Sequence, residues 1–305
     1  MEAVDTETER VKVGGAQAKR RKGPPRTRLV SWLGVLPFFL FSAAFLIGPA
    51  VILFYRSLED PEGGFTLQFW GQLTSDTVMR AYGMSVRLSL TTALVGGVFG
   101  FLLAWAVSLG ALPRAVRSAL TTFSGVASNF AGVPLAAAFI FTLGRVGVIT
   151  AVFELLGVDL YRSGFSLYSF WGLVLVYLYF QFPLMVLVML PGLDGLRREW
   201  REAAENLGAT PRQYWRKVAL PVLMPSILGT MILLFGNAFG AHATAYALTG
   251  GLLPLATLLI GQQISGDVLN NPGLGYAVAV GMVMIMAIAI GIYTVLQRRS
   301  ERWLG

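Results

Sequence analysis

Residues 167–221 read LYSFWGLVLVYLYFQFPLMVLVMLPGLDGLRREWREAAENLGATPRQYWRKVALP. From 167 to 190 there is no charged residue. A helix needs about 20 mainly apolar residues to cross a bilayer, so this run spans. The next stretch carries Arg197, Arg198, Arg201, Arg212, Arg216 and Lys217 together with Asp194, Glu199, Glu202 and Glu205. Such a stretch leaves the membrane. Five further apolar runs, at about 29–55, 84–112, 118–143, 224–249 and 273–296, repeat the first pattern with charged islands between them. The reading is all-α, a polytopic membrane protein with six transmembrane helices.

Composition agrees. The chain is 55% hydrophobic and 13% charged, about half the charge a soluble domain carries. Cysteine is absent, which excludes a disulfide framework and thiolate metal sites. The formal net charge is +8, and half of it comes from residues 1–28, with eight Lys/Arg against four acids. That tail has no apolar periodicity and reads as disordered. A basic tail before a span sets orientation, so no nucleic-acid partner is expected. The first span is too long for a signal-peptide core and reads as uncleaved. The domain reading is a basic cytoplasmic tail at 1–28, a membrane domain at 29–297 and a cytoplasmic tail at 298–305. With both ends inside, 19 of the 24 Lys/Arg fall on the cytoplasmic side of the cell membrane. That is the asymmetry of the positive-inside rule. The outer segments are then 57–83, 144–166 and 250–272, the last holding a short re-entrant helix covered by protein.

The charged segment has structure of its own. Leu196, Trp200, Ala203, Ala204 and Leu207 fall on one face of a helix, with Asp194 as expected N-cap and Gly208 at the left-handed position after its end. Thr210-Pro211-Arg212-Gln213 then starts a second helix with a capping Thr, a first-turn Pro and a Gln three residues on. Leu220-Pro221 is expected to turn the chain back into the membrane. Two short amphipathic helices bent at Gly208 suit either a groove on a soluble partner or lipid headgroups.

Glu202-Ala203-Ala204, three residues, Gly208, nine residues and Val218-Ala219-Leu220-Pro221 closely resemble the EAA loop of type I ABC importer permeases. Val218 stands where the family pattern has Ile, and Asn206 where it often has Asp. The resemblance extends over about 85–297, a five-helix core preceded by an extra amino-terminal helix. It implies that Glu202, Ala203, Ala204 and Gly208 form a coupling helix docked on a cytoplasmic ABC ATPase dimer, with Leu220 and Pro221 closing the loop at 194–221. It also implies a second, homologous permease subunit, an extracytoplasmic substrate-binding protein, and ATP and Mg bound by the ATPase with no cofactor in this chain. Ala245-Tyr246-Ala247-Leu248-Thr249-Gly250-Gly251, Pro254 to Ile260 and Asn271-Pro272-Gly273-Leu274-Gly275 look like polyamine (spermidine/putrescine)-type permeases. Ferric iron, thiamine or an aminophosphonate are the alternatives.

Few polar residues lie at membrane depth, where such groups default to functional candidates. Ser124, Ser128 and Asn129 interrupt span three, and Asn237, His242, Thr244 and Tyr246 lie in span five. Ser128, Asn129, Asn237, His242 and Tyr246 form the candidate substrate pathway; packing by hydrogen bonds is the other reading. Tyr177 and Tyr179 offer further ring faces for a cationic substrate. Gly96-x-x-x-Gly100 reads as a packing motif. A membrane-embedded enzyme would need a nucleophile and base, paired carboxylates or a metal cluster, and no catalytic or metal-binding set is found. A secondary transporter would use ionisable residues within its spans, and the chain lacks a P-loop, so the energy source is another subunit.

Overall fold

The computed structural model describes residues 26–60, 62–110, 112–265 and 271–301. The described residues fall into two compact units, one up to Ala50 and one from Val51 onward. In the first, α1 (Arg26–Ser42) passes through a π-helical turn, Ala43–Ile47, into the start of α2 (Gly48–Arg56). The helix therefore begins three residues inside the expected tail. Residues 1–25 of that tail lie outside the described residues.

The second unit continues with α3 (Gln68–Gln72), α4 (Asp76–Leu109), α5 (Arg114–Asn129), α6 (Gly132–Leu143) and α7 (Val148–Leu155). There follow α8 (Phe170–Asp194), α9 (Arg198–Asn206), α10 (Pro211–Tyr214), α11 (Leu220–Gly240), α12 (Ala243–Thr249), α13 (Ala256–Ser265) and α14 (Pro272–Glu301). No strand is found among the described residues; Glu59 and Phe65 make one isolated bridge. Among the described residues six helical stretches are long and apolar enough to cross a membrane: Gly34–Arg56, Asp76–Leu109, Gly132–Leu155, Phe170–Asp194, Pro211–Gly240 and Pro272–Arg298. The fold is all-α, as the sequence indicates. The expected carboxyl tail from 298 is helical as far as Glu301, and 302–305 lie outside the described residues.

The core is the pairing of α4 with α8, flanked by α5 and α11. Gly96 and Gly100 make this possible. A Cβ on Gly96 would lie 2.8 Å from the Cβ of Gln181, and one on Gly100 only 2.6 Å from the Cβ of Met185. Backbones approach closely where small residues face a neighbour, which is how helices adhere when lipid removes the hydrophobic drive between them. Tyr177, Leu88, Leu135, Leu173, Met185 and Met189 are fully buried in the unit, while Leu94, Phe99, Phe141, Val283 and Ile288 are exposed on its surface. That arrangement fits a lipid-facing exterior.

The short helix α13 sits where the re-entrant segment was expected. It packs on α4 and α14, with Ala256, Leu258, Leu259 and Gln263 buried. Ser85 Oγ accepts the Ala256 N–H at 2.8 Å, and Tyr82 donates to the Val278 carbonyl at 2.8 Å. Protein groups thus satisfy backbone that lipid could not. Asp267 and Asn270, which follow it, lie outside the described residues.

Two expected spans are not continuous helices. Span three breaks at Phe130–Ala131 between α5 and α6, and span five breaks at Ala241–His242 between α11 and α12.

Candidate functional site

The loop after α8 departs from expectation at its start and meets it at its bend. Asp194 does not cap α9; it is the last residue of α8, and Arg197 holds the N-cap position. The Asp194 carboxylate instead accepts from Ser108 Oγ at 2.7 Å and pairs with Arg117, tying the loop to α4 and α5. Gly208 has φ +74°. Its N–H donates to Glu205 O at 2.9 Å, and Ala209 N–H donates to Ala204 O at 2.9 Å. Those two bonds are the Schellman pair, which requires a left-handed residue where Gly208 stands. At Thr210 the capping box is complete, the Thr hydroxyl accepting from Gln213 N–H and the Gln213 side chain accepting from Thr210 N–H.

Leu220-Pro221 does not turn the chain. Helix runs on from Pro211 to Gly240 through a π-helical turn, Trp215–Ala219, in which Leu220 N–H donates to Trp215 O. Pro221 has no N–H to lose, so the ladder shifts register just before it. Trp215 meets Trp105 edge to face at 5.8 Å, which fixes this end of the helix against α4.

The apolar face of the loop is open toward its far end, while Leu196 packs on the core and Ala204 is half-buried. Leu207 is 87% exposed, and Glu202, Ala203 and Gly208 are exposed beside it. On the charged side Arg201 pairs with Glu205 at 2.8 Å, and that hydrogen bond raises the Arg201 pKa further.

The second cluster lies where the two breaks meet. Gly132 N–H, the first of α6, donates to Thr244 Oγ1 of α12 at 2.7 Å. The freed Ala241 carbonyl accepts from the Tyr177 hydroxyl at 3.0 Å. Ser128 Oγ and Asn129 Nδ2 both donate to the Gly125 carbonyl, at 3.2 and 2.9 Å. His242 Nδ1 lies 3.0 Å from Thr257 O of α13, and its ring stacks on Tyr246 with centroids 5.8 Å apart. Ser128, Asn237 and His242 line one cavity of about 390 Å³; Ser128, Asn129 and Asn237 also line a neighbouring one of about 860 Å³. The structure therefore brings four of the five expected residues together, with Tyr246 stacked on the fourth. Tyr177 is fully buried and its hydroxyl is committed to the break, so it offers no ring face to a passing ligand. Tyr179 is partly buried and packs edge to face on Phe130 and Phe139.

Sequence reading missed Gln181 and Thr244 as structural partners. Gln181 is fully buried, donates to Leu234 O at 2.9 Å, and leaves its Oε1 unpartnered among the described residues. Its signal was available, since a Gln within an apolar span is costly without a partner. Among the described residues no three His, Cys, Asp or Glu side chains cluster as metal ligands.

The family model for binding-protein-dependent transport system inner membrane components matches residues 96–302, which include the bent loop and both breaks. The chain belongs to that family. It is an ABC importer permease subunit, a multi-pass membrane protein and not an enzyme, and nucleotide is bound by the partner ATPase. A probable sulfate transport system permease protein CysT of Nephroselmis olivacea is 28% identical over 229 residues, 74% of this chain and 75% of that protein. The sulfate transport system permease protein CysT of Salmonella typhimurium is 28% identical over 187 residues, 61% of this chain and 64% of that protein. A solved bacterial ABC transporter involved in the import of the acidic polysaccharide alginate superposes with TM-score 0.70 at 17% identity, over 90% of this permease and 96% of that chain. At that identity the likeness concerns the fold. The polyamine-type resemblance of 245–275 is not supported, because the relatives name sulfate.

Proposed function

We propose that this permease forms half of the translocation pathway of a sulfate importer. The observation that carries the reading is the sulfate-permease naming of relatives aligned over 61–74% of the chain. The lining at the breaks is compatible with it. The residues around the 390 Å³ cavity include amide, hydroxyl and imidazole groups and no carboxylate. A cationic substrate would meet no counter-charge there. Calorimetric titration of the cognate binding protein tests the substrate. Sulfate is expected to bind tightly, with spermidine, putrescine, ferric iron, thiamine and 2-aminoethylphosphonate silent. Tight binding of any of these with none for sulfate would sink the reading.

The bent loop is the proposed contact with the cytoplasmic ATPase dimer. A face on which Leu207 and Ala203 are uncovered beside Glu202 has the mixed character of a docking surface, and the helix from Pro211 onward joins it to a span. A second permease subunit completes the pathway, and the binding protein delivers substrate from the other side.

This assignment of sides rests on the Lys/Arg asymmetry. The chain has no native cysteine, so single cysteines report cleanly. Introduced at Gly63 and Gly164, both exposed, they are expected to react with an impermeant thiol reagent outside intact cells. One at Leu207 is expected to react only after lysis. Labelling at Leu207 from outside would reverse the topology.

A further inference from the structure

The polar groups around the 390 Å³ cavity differ in what they have left to give. Thr244 Oγ1 accepts from Gly132 N–H, and Ser128 Oγ donates its hydrogen to the Gly125 carbonyl. Asn237 makes no side-chain hydrogen bond among the described residues, and it lines both cavities. His242 is held from three sides. Its Nδ1 faces the Thr257 carbonyl, one ring face lies on Tyr246, and its Cε1 would be 3.1 Å from a Cβ on Gly261. A carbonyl oxygen can only accept, so Nδ1 carries the hydrogen in either protonation state. The one ring atom with chemistry to spare is Nε2. The sequence reading left open whether His242 packs or binds; the geometry gives Nδ1 the packing role and frees Nε2.

We propose that Asn237 and His242 form a transient contact site for a tetrahedral oxyanion at the paired breaks, the Asn237 amide and the imidazolium Nε2–H donating to its oxygens. The proposal rests on the sulfate reading above. No Asp, Glu, Lys or Arg lines the cavity, so no permanent charge stands there. That suits a site that must release what it receives, because a fixed cation in low dielectric would hold a dianion too well.

The test is uptake of labelled sulfate by the complete importer in proteoliposomes, with ATP hydrolysis measured in parallel. His242→Asn keeps an amide donor near Nδ1 for Thr257 O but removes the far nitrogen. His242→Gln places an amide near Nε2 instead. His242→Asn and Asn237→Leu are each expected to lower sulfate uptake about tenfold, the worth of one hydrogen bond to a charged group, and to raise the ATP consumed per sulfate. His242→Gln is expected to recover most of the uptake. Wild-type uptake in both of the first two variants would overturn the proposal. So would uptake and hydrolysis falling in step, the signature of a structural role. If the wild-type importer hydrolyses ATP with its binding protein but moves no sulfate, the substrate reading fails and takes this proposal with it.

Discussion

Gly208→Val is expected to lower coupled import at least tenfold. The φ of +74° at Gly208 lies in the left-handed region, where a β-branched residue is an outlier. Nothing lies within 4 Å of a Cβ built there, so the cost is confined to the backbone, about 1–2 kcal/mol for an L-residue and more with β-branching. Val would relieve that strain by abandoning the Schellman bonds that end α9 and set its angle to α10. The apolar face carrying Ala203 and Leu207 would then no longer meet its partner at the angle the bend provides. Gly208→Asn is the control, since Asn tolerates this region. The measurement is substrate uptake together with ATPase co-purification, so that dissociation and uncoupling are told apart. Normal transport by assembled complexes carrying Gly208→Val and Glu202→Lys would remove the loop from the coupling pathway.

Gly100→Leu is expected to prevent stable folding of the permease, through a different physical route. Here the backbone conformation is ordinary and the space is missing. The first carbon of any side chain would lie 2.6 Å from Met185 Cβ and 3.1 Å from the Phe182 carbonyl oxygen. Neither neighbour is the flexible end of a side chain. Helices α4 and α8 would have to separate, and overpacking costs about 1–3 kcal/mol, occasionally more. Gly125→Ala in α5, with nothing within 4 Å of its Cβ, is expected to be silent. Size-exclusion of detergent-solubilised protein after graded heating measures both. A Gly100→Leu variant with wild-type thermal stability would refute the packing described for α4 and α8.

What could be read from the chain divides along a physical line. Features set by local chemistry were legible: six apolar stretches, the left-handed Gly208, the Thr210 capping box and the close-packing Gly96 and Gly100. Features set by distant partners were not. Residues 118–143 and 224–249 look continuous because hydropathy averages over the very positions where the helices break. What permits the breaks is a Thr244 hydroxyl for one freed backbone group and a Tyr177 hydroxyl for another, both from elsewhere in the bundle. Asp194 has the residue type and position of an N-cap, but Ser108 and Arg117 take its carboxylate, 86 and 77 residues away in sequence. The candidate pathway residues were legible as a list, because polarity in an apolar run is conspicuous, while the gathering of four of them around two neighbouring cavities was not. Substrate was the least legible. The cavity at the breaks is lined by neutral groups, so the similarity of 245–275 to polyamine permeases carried little chemical information.

The π-helical turn at Trp215–Ala219 has a geometric consequence for the whole shaft from Pro211 to Gly240. One residue more than an α-turn needs is inserted there, and each residue of a helix contributes about 100° of rotation and 1.5 Å of rise. The cylinder carrying Asn237 is therefore out of phase with the one carrying Tyr214 by roughly that angle. If the surplus residue were expelled from the turn, a displacement along the axis would reappear as a quarter-turn at the far end, sweeping Asn237 around the barrel of its own helix. The joint between loop and span thus sets the rotational phase of one against the other.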